Sequence, residues 1–379
     1  MRLAQRLTGV EDSATIRMAL IAKKLEDEGK EVLNFTMGEP DFDTPEHICE
    51  AAKLALDRGY THYTSSMGIT ELREEIARKI QEENKVDASR ENVIVTPGAK
   101  QAIYELMMSV LDGGDRVIML DPAWVTFASA VKLAGGESTW VKRLDEAVKY
   151  ESLESAVSEK TKMIIINSPN NPAGYVLSEQ ELKEVAEFAV DHDLLVLSDE
   201  IYEKILYGHR HVSIASFDGM PERTVIINGF SKTYAMTGWR IGYAVAPPEI
   251  VSGMLKIQQH SVTCAASFAQ FAALTALRSS QACVQEMVEK FKRRKDVVVK
   301  RFNDLGLRCL NPEGAFYAFV NTSKYGNDVE FTERLLKESY VVVTPGSAFG
   351  DAGNNYVRFS FATSIENIIE GIERLEKIV

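Results

Sequence analysis

The strongest constraint on the fold is a series of short apolar runs through the middle of the chain. They are Asn92-Val93-Ile94-Val95, Arg116-Val117-Ile118-Met119-Leu120, Lys162-Met163-Ile164-Ile165-Ile166, Leu194-Leu195-Val196-Leu197, Thr224-Val225-Ile226-Ile227 and Ile241-Gly242-Tyr243-Ala244-Val245. Their brevity and β-branched content mark them as strands, and they do not alternate with polar residues as half-exposed strands would. Strands apolar on both faces belong to a largely parallel sheet covered by helices. Helical character appears between them, from Ala99 to about Leu111 for example. Ser178-Glu179-Gln180-Glu181 is a capping box that opens an amphipathic helix with Leu182, Val185, Ala186 and Ala189 on one face. From about Gln281 the texture changes to a long charged helix, Val284 to Leu305. Short strands follow around Ala315–Phe319, Val341–Val343 and Tyr356–Phe361, then a final amphipathic helix, Ile365–Ile378.

The expected fold class is α/β: a large domain with a mostly parallel sheet flanked by helices, residues 46–284, and a smaller α+β domain. The latter combines residues 285–379 with an N-terminal arm, 1–45. A chain of 379 residues exceeds the usual size of one compact core. Its formal charge of −12 argues against a general nucleic-acid binder, whose footprint is basic. Cys49, Cys264, Cys283 and Cys309 lie far apart, which indicates neither a zinc site nor a disulfide framework. No signal-peptide core and no membrane span is evident, so a cytoplasmic protein is expected. No Gly-x-Gly-x-x-Gly follows a strand, which removes the usual signature of a nicotinamide dehydrogenase. His209-Arg210-His211 reads as an exposed loop rather than a metal site.

The chemistry-bearing residues follow strand ends, where open α/β sheets place ligands. After the first run comes Thr96-Pro97-Gly98-Ala99-Lys100-Gln101, a small-residue turn into a helix whose free N–H groups suit an anion. After the third comes Asn167-Ser168-Pro169-Asn170-Asn171-Pro172-Ala173-Gly174, irregular backbone with X-Pro bonds open to the cis form and two asparagines able to present amides. After the fourth comes Ser198-Asp199-Glu200-Ile201-Tyr202. A carboxylate at a buried strand end needs a partner, either an arginine or a protonated ring nitrogen. After the fifth comes Asn228-Gly229-Phe230-Ser231-Lys232, with Gly238-Trp239-Arg240 beyond it. A lysine held in a partly dry pocket beside another cation loses its proton readily and becomes a nucleophile for carbonyls.

An anion cradle, an aspartate, an asparagine with a tyrosine, and a lysine together fit pyridoxal phosphate. The motifs Ser168-Pro169-Asn170-Asn171-Pro172-Ala173-Gly174, Asp199-Glu200-Ile201-Tyr202, Ser231-Lys232 through Arg240 and Arg358-Phe359-Ser360-Phe361 resemble those of class I/II aminotransferases, fold type I (the aspartate aminotransferase superfamily). The resemblance runs from about Ser13 to the C-terminus. It implies that Lys232 binds the cofactor aldehyde as a Schiff base and that Asp199 pairs with the pyridinium nitrogen. Asn171 and Tyr202 would hydrogen-bond the phenolic oxygen, and Trp124 would stack on the ring. Gly98, Ala99 and Lys100 would offer backbone amides to the phosphate, joined by Ser231 and Arg240. The family often has a hydroxyl three residues before the lysine, where this chain has Gly229. Tyr63 resembles a tyrosine that reaches the phosphate of a neighbouring subunit, which implies a homodimer. Arg358 would clamp the α-carboxylate, with Gly38 N–H beside it.

The implied reaction is a ping-pong transfer of an amino group from an L-amino acid to a 2-oxo acid, with Lys232 moving the Cα proton. Lys100 stands in the first turn of its helix, where a positive charge opposes the macrodipole. In one branch of the family the matching lysine approaches a distal carboxylate. The segment Ser13-Ala14-Thr15-Ile16-Arg17 resembles that branch too, with Thr15 as a further contact. Aspartate with 2-oxoglutarate is therefore expected, ahead of aromatic, alanine or broad specificity. A pyridoxal-phosphate lyase is the rival from another class. A gene regulator built on the same domain would need a DNA-binding domain, for which the resemblance leaves no space.

Overall fold

The computed structural model describes residues 4–10 and 14–379. Strand β1 (Leu33–Asn34) lies near the start. The body of the chain carries β2 (Val93–Thr96), β3 (Arg116–Asp121), β4 (Glu137–Lys142), β5 (Thr161–Asn167), β6 (Leu195–Asp199), β7 (Thr224–Gly229) and β8 (Gly242–Val245). These seven form one sheet in the order β2-β8-β7-β6-β5-β3-β4. From β4 to β7 every pairing is parallel, whereas β8 runs antiparallel to both β7 and β2. The sheet expected from the apolar runs is present, and β2 and β7 are buried at every residue. One strand of it was not expected: β4, Glu-Ser-Thr-Trp-Val-Lys, lies at the edge with only Val141 buried. Its polar and charged residues suit an unpaired edge and hide the strand from a search for apolar runs.

Helices cover both faces. The helix Glu179–Asp191 begins as anticipated, with Ser178 accepting from Glu181 N–H and Glu181 returning to Ser178. Glu181 does more than cap. Its buried carboxylate also accepts from Val148 N–H at 3.2 Å and pairs with Arg143 at 3.1 Å, which fastens the 143–148 segment to the helix.

The C-terminal part carries β9 (Tyr317–Asn321), β10 (Val341–Val342), β11 (Thr344–Pro345) and β12 (Tyr356–Ser360), with the helix Ala282–Asp304 crossing beneath them. Strands β11, β12 and β9 form an antiparallel sheet, and β10 pairs in parallel with β1. That last pairing ties the N-terminal segment to the C-terminal elements. Phe35 stacks on Phe359 at 4.0 Å between centroids, and Asp41 takes both Nη atoms of Arg294, at 2.7 and 2.8 Å.

Two substitutions separate the roles of the cap. Ser178→Ala should cost about 1 kcal/mol. Glu181→Ala should cost more, about 3 kcal/mol, because it also strands Arg143 and the Val148 N–H. Equal losses in denaturant unfolding would show that Glu181 is only a cap residue.

Candidate active site

A cleft of about 560 Å³ opens where the carboxyl ends of the parallel strands face β9 and β12. Each strand end delivers a functional group. The last residues of β5 and β6, Asn167 and Asp199, are register partners. Lys232 follows β7 by three residues, and Trp124 follows β3 by three. Lining the cleft are Ala99, Lys100, Trp124, Asn171, Asp199, Tyr202, Ser231, Lys232, Arg240 and Arg358, with Gly38 at its edge. The expected site residues therefore meet in one place, apart from Gly98, which sits behind Arg240, and Tyr63. The Thr15 side chain lies outside the described residues.

Burial sets the electrostatics. Lys232 Nζ is lowered to about 8, chiefly because the cleft desolvates its charge; Glu39 opposes the shift and Arg240 and Arg358 add to it. Its amine donates to the Gly38 carbonyl. Asp199 is raised to about 7, again mainly by burial, against the Ile201 N–H it accepts at 3.1 Å. Arg358 is 1% exposed and has no carboxylate within ion-pair distance among the described residues. Its Nη1 donates to Asn171 Oδ1 at 2.9 Å and its Nη2 to the Thr36 carbonyl at 2.7 Å. Its Nε finds no acceptor, and its guanidinium lies 4.5 Å from the Tyr317 ring centroid and 5.0 Å from that of Phe349. A surface ion pair is thereby excluded. Among the described residues Arg240 likewise donates only to carbonyls, of Thr237 at 3.0 Å and Pro97 at 3.4 Å.

Several details refine the sequence expectations. Gly98 N–H turns back to the Thr96 carbonyl at 2.7 Å, so Gly98 is not an amide donor to a ligand; the free first-turn amides of the helix Ala99–Val110 begin at Ala99. What Gly98 provides is room: at φ +87° a Cβ there would stand 2.5 Å from Arg240 Nη2. Of the two asparagines only Asn171 serves the cleft. Asn170 braces its own turn by accepting from Ala173 N–H at 2.9 Å. At position 229, where the chain lacks that hydroxyl, a Cβ would lie 2.9 Å from Gly242 Cα. Lys100 Nζ stands 5.0 Å from the Trp124 ring centroid, its pKa lowered by burial and by Arg240. Tyr63 is 85% exposed and does not line the cleft of its own chain.

The expectation for His211 is corrected. Instead of lying exposed, its side chain is mostly covered, 11% exposed, with Nε2 2.9 Å from Glu200 Oε2. Glu200 and Glu203 are packed with Lys79, Asn84, Ser213 and Asn228 directly behind Asp199. The Lys79 ammonium donates to Glu203 and so sets a cation against one carboxylate of the Glu200, Glu203 and His211 group. Burial opposes charge on both Lys79 and His211, but the glutamates outweigh it and raise both pKa values. Contacts between residues as far apart as Lys79 and Glu203 leave no local trace in a sequence.

Sequence reasoning also missed Tyr317, Asn167, Glu39, Thr126, Thr237 and the apolar wall of Ile16, Ala19 and Leu20. Tyr317 had one signal, a hydroxyl within the otherwise apolar run Ala315–Val320.

The raised Asp199 pKa makes a sign prediction. The fold prefers the protonated carboxyl, so without cofactor stability should fall as the pH rises from about 4, the ordinary aspartate value, to about 7. Asp199→Asn should flatten that slope, leaving the share of Glu105, which burial also raises to about 7, and unfold at a higher temperature than the parent at pH 8, with the advantage shrinking toward pH 4. Thermal unfolding of cofactor-free protein across this range checks it.

Comparison with known proteins agrees with this geometry. The model of the family described as aminotransferase class I and II matches residues 30–375. Aspartate aminotransferase of Pyrococcus abyssi is 45% identical, covering 100% of this chain and 98% of the relative. Aromatic-amino-acid aminotransferase 2 of Thermococcus litoralis is 44% identical over the same shares. The solved structure of Thermus thermophilus aspartate aminotransferase with maleate superposes with a TM-score of 0.97 at 41% identity, covering 100% of both chains. The chain belongs to the class I and II aminotransferase family and is a transaminase of its fold type I architecture.

Proposed function

We propose that this transaminase uses pyridoxal phosphate and takes aspartate as amino donor, with 2-oxoglutarate as acceptor. The observation that carries the reading is the depressed amine of Lys232, set in one cleft with the buried Asp199 and with two guanidinium groups that no carboxylate among the described residues neutralises.

The residues fit the cofactor end by end. Free first-turn amides at Ala99 and Lys100, the Ser231 hydroxyl and Arg240 form a cationic cradle for its phosphate. Asp199 would hold the ring nitrogen in its protonated form. Asn171 Nδ2 and the Tyr202 hydroxyl would donate to the phenolic oxygen, and Trp124 would cover the ring. Lys232 Nζ would hold the aldehyde carbon. When bound, the cofactor supplies an electron sink for the bond broken at Cα. Arg358 would grip the α-carboxylate with its planar fork beside Gly38 N–H, and an arginine held by neutral acceptors has its charge free for that task. An amine lowered to about 8 has a far larger neutral fraction near physiological pH than an ordinary lysine, so Lys232 can take the proton from Cα and return it.

For the substrate side chain, Lys100 over Trp124 supports a distal carboxylate. A specific observation also favours an aromatic reading: Ile16, Leu20 and Met37 line the cleft and are partly exposed within it. Tyr63, exposed on its own chain, supports a homodimer in which it completes the partner's phosphate site. We further propose a cofactor-binding domain of residues 46–284 and a smaller domain of 1–45 with 285–379, supported by the pairing of β1 with β10. A cytoplasmic setting accords with the absence, among the described residues, of any helix able to cross a membrane.

Lys232→Ala should lower turnover by at least about 10³-fold and remove the near-visible absorbance of the bound cofactor. Retention of both would sink the assignment. Lys100→Ala should lower kcat/KM for aspartate by about tenfold and leave that for phenylalanine within about twofold. Parallel losses for both substrates would favour the aromatic reading.

A further inference from the structure

Tyr317 touches two separate parts of the proposed machinery. It is fully buried at the start of β9, opposite Ser360 of β12. The Arg358 guanidinium lies 4.5 Å from its ring centroid, and its hydroxyl is 2.8 Å from that of Tyr202. A Cβ on Gly38 would stand 3.0 Å from the same hydroxyl, so the N-terminal segment closes over it. Phenylalanine occurs on both sides in this run, at 316 and 319, and would fill the core equally well. The hydroxyl is therefore the part of Tyr317 that packing leaves unexplained.

Each phenol has one proton, so only one of the two hydroxyls can donate across the 2.8 Å contact. If Tyr202 is to donate into the cleft, Tyr317 must be the donor to Tyr202. We propose that Tyr317 is a positioning residue whose hydroxyl fixes Tyr202 as a donor toward the cleft and whose ring holds the Arg358 guanidinium for a carboxylate. The inference rests on the roles given above to Tyr202 and Arg358. It joins the two ends of the site through one side chain.

The test uses holoenzyme and two readouts besides turnover. The first is the pH midpoint of the near-visible absorption band. Tyr202→Phe should raise it by about one unit, since a hydrogen bond to the anionic oxygen is lost. Tyr317→Phe should raise it by about half as much, and the double variant should go no further than Tyr202→Phe alone. Additive shifts, or no shift from Tyr317→Phe while Tyr202→Phe moves the band, would overturn the proposal and leave the reading of Tyr202 intact. No shift from either variant would refute that reading and the proposal with it. The second readout is the dissociation constant for succinate, a dicarboxylate probe. Tyr317→Phe keeps the ring and should change it by less than about twofold, whereas Tyr317→Leu should weaken binding about tenfold. Equal affinities in the two variants would overturn the role of the ring.

Discussion

The structure depends on an arginine that is buried without a counter-ion among the described residues. Arg358 projects from the middle of β12, yet its guanidinium is satisfied by Thr36 of the N-terminal segment and Asn171 of the loop after β5. Burying a cation with only neutral acceptors is costly, and truncating its partners would leave the charge stranded. The two aromatic rings against it soften that cost because their faces are electron-rich. The geometry that makes Arg358 expensive also makes it useful. A carboxylate arriving in the cleft meets a cation already desolvated and already aimed, so little reorganisation is needed on binding.

Asp199 presents the complementary situation. Behind it stands a closed layer of charge, with Glu200 and Glu203 balanced by Lys79 and His211 and by amides from Asn84 and Asn228. This layer compensates itself, whereas Asp199 and Lys232 are left incompletely paired toward the cleft. The chain thus separates structural charge from chemical charge by a single residue, Asp199 against Glu200. Fully satisfied networks rigidify, and the partly satisfied groups in front of them are the ones available for reaction.

Much of this was legible in the sequence because the large sheet is built from strands buried on both faces. The run Lys162–Ile166 lies within β5, Thr161–Asn167, and Leu194–Leu197 overlaps β6, Leu195–Asp199. Once strand ends are known, residues just beyond them are the natural candidates for a cleft, and Lys232, Asp199, Asn171 and Trp124 all line it. The illegible parts share one physical cause: they depend on which distant segments touch. Strand β4 is polar because it is an edge. His211 is mostly covered because it turns in to pair with Glu200. Tyr317 reads as core because its ring is fully buried within an otherwise apolar run. Gly98 reads as an amide donor, although its N–H is spent on Thr96.

The missing hydroxyl at position 229 has a wider meaning. A Cβ at Gly242 would meet Ala99 N at 2.5 Å and the Gly98 carbonyl carbon at 2.7 Å, while one at Gly229 would meet Gly242 Cα. Three chain segments, from the ends of β2, β8 and β7, therefore lie backbone against backbone at the corner of the cleft beside Arg240. Variation at one of these sites is filtered by the other two. A lineage cannot acquire a side-chain contact at 229 by a single replacement without first moving the neighbouring strand. The corner is constrained as a unit, because a side chain at 98, 229 or 242 requires its neighbours to move.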